Sequence, residues 1–268
     1  AGRGIIDSTG RVIPVKNGAI RFLSRTQPDG QYLISADVAE GLEHGDYSCA
    51  VIIDRKNGQL VAEWHGHQDY VEFGSTLAIL GRHYNNAVIA VEAGVSAHGT
   101  SALMQLKNVE KYPPELLHQS EHDRPKSDDP YQRPLRRFGW ITNRISITII
   151  IDHLANLISR RDIPQLTLEQ IYELRSYIRG KNGETEAESG AYDDRVMALA
   201  IGYYLLRAYP PKKPKLRDDT CKTCVHRGLN RALKIEMCNY SKKILQGGDI
   251  WCPAYRYRRV GVETIFTA

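Results

Sequence analysis

Short apolar runs alternate with turn-rich punctuation along the first hundred residues. Residues 31–39 (QYLISADVA), 48–54 (SCAVIID) and 59–67 (QLVAEWHGH) are β-rich, and Arg55-Lys56-Asn57-Gly58 has hairpin-turn composition. This pattern predicts a three-stranded antiparallel meander. Residues 70–85 place Val71, Leu77, Leu80 and Tyr84 at helical spacing, and residues 87–92 (AVIAVE) follow as an apolar strand. A strand, helix, strand succession implies a parallel neighbour in the same sheet. Residues 97–111 read as a second helix stopped by Pro113-Pro114, and residues 115–118 as one more short strand.

The polar residues 119–138 carry three prolines and read as a loop or an exposed hairpin. Helices are expected over 143–159 and 168–179, the second capped by Thr167. Residues 180–190 (GKNGETEAESG) form an acidic, flexible stretch. Residues 191–209 then give a strong helix, with Val196, Leu199, Ala200 and Tyr203 on one face and Pro210-Pro211 as its stop. The Gly-rich stretch to about residue 18 is weakly patterned and reads as a linker or the end of a preceding domain. The fold class is therefore α/β: a mixed sheet, meander on one side and crossover strands on the other, flanked by helices.

Composition places the chain among folded globular proteins, with 268 residues and 42% hydrophobic content, and excludes collagen-like or disordered classes. No uncharged apolar run approaches the roughly 18 residues of a membrane span, and no signal peptide is evident, so a soluble intracellular protein is expected. Charge changes the picture more. Residues 1–206 hold 22 basic and 26 acidic side chains, residues 207–268 hold 14 and 5, so a body of −4 carries a tail of +9. That asymmetry suggests an acidic chemical site joined to a basic arm for a polyanion.

Four acids stand where apolar elements end: Asp37 in the first strand of the meander, Glu92 closing the fourth strand, and Asp193 with Asp194 opening the last long helix. Singly, each has an ordinary reading, as a turn residue, a salt-bridge partner, or first-turn acids favoured by the helix dipole. Jointly they point elsewhere. Clustered anions repel and raise one another's pKa unless a cation lies among them, and hard oxygen donors in this number suit Mg²⁺ or Mn²⁺. Two such ions can activate water and stabilise the leaving oxygen in phosphodiester cleavage.

These residues resemble a known family, the C-terminal nuclease domain of the large terminase subunit of tailed bacteriophages, which has a ribonuclease H-like fold. The matching segments are YLISADVAEGLEHGDYSCAVIID, NAVIAVEAGVSAHG, RFGWITN and GAYDDRVMALAIGYYL, together covering about residues 20–209. The resemblance implies Asp37 and Glu92 as metal ligands, the Asp193-Asp194 pair as the third, and Asp46 of GDYS as an auxiliary acid near a second metal. It also implies a two-metal endonuclease that cuts concatemeric viral double-stranded DNA during genome packaging, in the cytoplasm of the infected host. Its partners would be a packaging ATPase domain, the portal and the small terminase subunit. No G-x-x-x-x-G-K-[ST] loop is present, so residues 1–19 are expected to lead from an absent ATPase domain, residues 20–209 to be the nuclease, and residues 210–268 a basic Cys-rich tail. The family's Asn-rich stretch after the glutamate is here AGVSAHG, which leaves His98 as a substrate contact, a metal contact or a helix-entry residue. The competing readings are a non-catalytic DNA-binding or portal-docking module and a resolvase- or transposase-like nuclease of the same fold.

Contact with DNA backbone requires local positive charge, and Arg124, Lys126, Arg133, Arg136 and Arg137 are the candidates, a solvated loop being the alternative. Trp140 reads as core, with stacking on a nucleotide as the other role. In the tail, Cys221 and Cys224 form a C-x-x-C, with Cys238 and Cys252 each following after thirteen intervening residues. Four thiolates in a short basic segment fit one structural Zn²⁺, His226 being a substitute ligand; reduced buried thiols or a disulfide are the alternatives.

Overall fold

The computed structural model describes residues 2–42, 45–93, 97–122, 135–179, 185–188, 190–212, 227–230 and 235–238. The chain divides into two units, residues 1–211 and 212–268. In the second, β12 (Arg227–Asn230) and β13 (Ile235–Cys238) pair as an antiparallel hairpin.

The first unit is built on a seven-stranded sheet of order β2-β1-β3-β6-β5-β4-β7. The meander lies at its heart: β4 (Tyr32–Asp37), β5 (Ser48–Asp54) and β6 (Leu60–Gly66) pair antiparallel. On one side β7 (Val88–Val91) joins β4 in parallel after the crossover helix α1 (Tyr70–His83). Asp69 caps α1, and the left-handed Asn85 and Asn86 (φ 56° and 55°) turn the chain out of it. On the other side β3 (Ile20–Phe22) joins β6, followed by β1 (Gly2–Ile6) and β2 (Val12–Pro14). The weakly patterned first residues are thus strands; at three to five residues each, with glycine and proline among them and burial that follows no period of two, they leave no alternation to read.

Every residue of β5 is buried, as expected for a strand covered on both faces. One face, including Ile34, Ala36, Ile52 and Val91, packs under α1 and α2 (Ala97–Met104) through Phe73, Leu77, Leu80 and Leu103. The opposite face, with Leu33, Val51, Ile53, Val88 and Ala90, packs under α3 (Arg144–Ser159) and α5 (Asp194–Leu205). Gly202 brings α5 close to the sheet: a Cβ there would lie 2.9 Å from the Ile53 side chain and 3.1 Å from Ser35.

The boundaries differ from the sequence pattern in several places. The last helix starts at Asp194, and both of its faces are buried, including Met197, Ala198 and Ile201, because sheet, α3 and α4 (Leu168–Ser176) enclose it. α2 gives way to a π-helical turn, Gln105–Val109. The expected strand at 115–118 is mostly the 3₁₀ turn Pro114–Leu116, with proline fixed at its first position; Leu117 alone bridges Ile89. Pairing with β11 (Thr185–Ala187) pulls β10 (Tyr177–Arg179) out of the helix expected to continue to 179. Residues 119–138 contain a hairpin, β8 (Gln119–His122) with β9 (Leu135–Phe138).

Candidate active site

Strand parity brings the acids to one face. On β4, Leu33 and Ser35 point to the α5 side, so Asp37 does too; on β7, Val88 and Ala90 do the same for Glu92. The parallel register Leu33↔Val88 and Ser35↔Ala90 carries on to set Asp37 beside Glu92, whose N–H donates to the Ala36 carbonyl at 2.8 Å. Two more backbone bonds clamp Glu92: Trp140 N–H donates to Val91 and Ala93 N–H to Trp140, both at 2.8 Å. From behind, Gly99 of α2 allows close approach, since a Cβ there would fall 1.8 Å from the Glu92 carbonyl oxygen.

α5 begins over this point. Burial first, then the Glu92 charge and a hydrogen bond to Glu92, then Asp194 and Asp193, push the Asp37 carboxyl well above its usual range. A hydrogen bond between two carboxyls requires a proton shared between them. Asp194, buried at 4% exposure, is pushed up to about 7 by burial and by the charges of Glu173, Asp193 and Asp46. Asp193 is raised by burial, Asp46 and Glu92. Asp46, exposed at the start of β5, therefore lies within electrostatic reach of both helix acids. Five carboxyl groups thus share one end of the sheet.

Among the described residues, no group of three or more His, Cys, Asp or Glu is arranged as it stands to hold a metal ion. The donor chemistry nevertheless fits a hard divalent cation: all donors are carboxylate oxygens, and Asp194 Oδ2 is buried with no hydrogen-bond partner. A cation there would relieve the repulsion among these carboxylates.

Solved structures with this architecture include the large terminase nuclease from thermophilic phage G20c, with 20% identity, a TM-score of 0.51, and coverage of 71% of this chain and 90% of that one. The fold is that of a phage large terminase nuclease. The same G20c nuclease with bound magnesium matches at 20% identity and TM-score 0.51, covering 71% of this chain and 89% of that one. The Thermus phage P74-26 large terminase nuclease domain matches at 20% identity and TM-score 0.50, covering 71% and 87%. No protein-family model matches the chain, and no curated protein matches it in sequence. The mixed sheet flanked by helices agrees with the ribonuclease H-like fold that the resemblance in sequence implies.

Outside the acids, only some of the expected residues are described. Arg137 is exposed on β9, and Arg136 occupies the same strand; Arg124, Lys126 and Arg133 lie outside the described residues. Cys238 ends β13, while Cys221, Cys224, Cys252 and His226 also lie outside them. His98 stacks on Tyr70 at 5.1 Å, with Nε2 3.4 Å from Glu40 Oε1. Trp140 packs edge-on against Tyr204 at 5.5 Å beside the α5-side core, which agrees with its core reading.

Two features escaped the sequence pattern. Tyr47 stacks on His65 (4.5 Å) and lies tilted against His67 (3.8 Å), with Tyr192 edge-on at 5.1 Å, so rings adjoining Asp46 and Asp193 pack together. Burial and the Arg195 charge push the His65 imidazole down to about 3, keeping it neutral. The second is a buried ionic network: Arg195 pairs with Glu63 of β6 at 3.1 Å and with Glu173 of α4. A charged Glu63 in the apolar run VAEW was the available signal; nothing in α4 marks Glu173.

Proposed function

We propose that this chain is a metal-dependent endonuclease that cuts concatemeric viral double-stranded DNA during genome packaging, as part of a large terminase acting in the cytoplasm of an infected host. The observation that carries this reading is the gathering of Asp37, Glu92, Asp193, Asp194 and Asp46 at one end of a sheet with the terminase nuclease fold. Asp37, Glu92 and Asp194 would hold one divalent ion, Mg²⁺ or Mn²⁺, and Asp193 with Asp46 would help hold a second. Such ions supply the charge that makes water a nucleophile at neutral pH and stabilises the leaving oxygen.

The chain's own contribution is to hold those oxygens in place. Strand register fixes Asp37 beside Glu92, and the Trp140 backbone clamps Glu92. No side chain here needs to act as a covalent nucleophile. Arg136 and Arg137 of β9, together with Arg124, Lys126 and Arg133, would hold the phosphate backbone. The magnesium-bound form of the G20c nuclease supports the choice of metal. In the tail, Cys221, Cys224, Cys238 and Cys252 would hold one structural Zn²⁺. Partners in the assembled machine would be an ATPase domain, the portal and the small subunit.

The test is plasmid digestion by the protein with EDTA, Mg²⁺ or Mn²⁺, beside Asp37→Ala. Cutting only with metal, lost in a folded Asp37→Ala protein, is expected. Undiminished cutting by that variant would refute the assignment, and DNA binding without cutting under any metal would favour a non-catalytic module.

A further inference from the structure

Helix α5 opens with an aspartate at its N-cap, yet that aspartate does not cap it. Asp193 sits at the N-cap position (φ −131°, ψ 6°) and its side chain makes no capping hydrogen bond. An Asp there ordinarily accepts from the second or third backbone N–H of its own helix. Here the second N–H, that of Arg195, donates at 3.0 Å to Oε2 of Glu173, a residue of α4.

Glu173 is itself held in place. Its Oε1 accepts from the Arg195 guanidinium, whose Nε donates to Glu63 Oε1 at 3.1 Å. Glu63 Oε2 in turn accepts from Gln170 Nε2 at 2.6 Å, and Gln170 forms a capping box with Thr167 at the start of α4. The side chains of Arg195, Glu63 and Glu173 are 14%, 3% and 10% exposed, so the network is locked away from water. Strand β6, helix α4 and the first turn of α5 are thereby tied at one place.

We propose that Glu173 is a positioning residue: it caps α5 in place of Asp193 and so keeps the Asp193 and Asp194 carboxylates free for a divalent cation. The buried, unpartnered Asp194 Oδ2 is what such an arrangement leaves behind. The capping half stands on the hydrogen bonds alone; the cation half rests on the function proposed above.

The capping half is tested by thermal unfolding in EDTA of the whole protein and of Asp193→Ala, Glu173→Ala and the double variant. In the wild-type background Asp193→Ala should leave Tm unchanged or raised, since no cap is lost and repulsion is relieved. In the Glu173→Ala background Asp193 is free to rotate onto its own helix, so the same change should lower Tm by about 2–4 °C. An Asp193→Ala that lowers Tm by that amount in the wild-type background would overturn the proposal, even where Glu173→Ala fails to fold. Equal effects in both backgrounds would overturn it too. The cation half is read by Mn²⁺ binding in electron paramagnetic resonance. Glu173→Gln, which keeps the acceptor for the Arg195 N–H, should bind Mn²⁺ nearly as well as wild type, and Glu173→Ala about tenfold or more weakly. Unchanged Mn²⁺ affinity and stoichiometry in Asp193→Ala would refute Asp193 as a cation donor, and with it the cation half of the proposal, while leaving the Tm cycle to judge the cap.

Discussion

Asp194 offers the sharpest quantitative test, because its carboxyl is buried, repelled by three neighbours and unpartnered at Oδ2. In the metal-free protein its pKa stands at about 7 against an ordinary 3.8. Between those values the folded protein keeps a proton that the unfolded chain has released. Stability from this group is therefore fully present below about pH 4 and is lost as pH rises through about 7. At about 1.4 kcal/mol per pH unit, the loss across the window has a ceiling of roughly 4 kcal/mol.

Asp194→Asn removes the titration. The amide brings its own buried N–H donors, at a cost of about 1–3 kcal/mol if unpaired, so the absolute stability of the variant is less informative than its slope. The assay is urea unfolding at pH 5, 6, 7 and 8 with EDTA throughout. Wild-type stability should fall steeply from pH 5 toward 7 and flatten by pH 8, and over the falling range the variant's slope should be shallower by up to about 1.4 kcal/mol per pH unit. Parallel lines would refute the reasoning, since they would mean that Asp194 ionises in the folded state as readily as in the unfolded one.

The basic hairpin and the tail give two further predictions. Arg136→Ala with Arg137→Ala should weaken DNA binding regardless of sequence and reduce the slope of log affinity against log salt by about one for each phosphate no longer neutralised; an unchanged slope in a filter-binding titration would return the hairpin to a solvated surface. Elemental analysis of protein purified without chelator should find about one zinc per chain, absent from Cys221→Ser with Cys224→Ser while plasmid cutting persists; four titratable tail thiols and no zinc would remove the site.

The site was legible where it obeys strand periodicity. A period of two fixes which residues of YLISAD and VIAVE share a face, and once β7 lies parallel to β4, Asp37 and Glu92 have nowhere else to go. The same rule applied to VAEW puts Glu63 on that face, opposite Val51, where a charge among buried neighbours demands a partner. That partner is Arg195, two positions after Asp193, so half of the network was present in the pattern. The other half was not. Glu173 lies on a helix whose sequence is polar on most sides, and only the packing of α4 against α5 turns one of its glutamates inward. Helix-dipole reasoning also gave the Asp193-Asp194 pair an ordinary role, as first-turn acids serving their own helix. The hydrogen bonds add that Asp193 does not cap that helix: the donor it would serve is taken by Glu173. An acid relieved of its local duty, next to another with a buried oxygen left over, is costly to the fold; under the proposed function a divalent cation would offset that cost, so stability, pH and divalent metal should prove coupled in this protein.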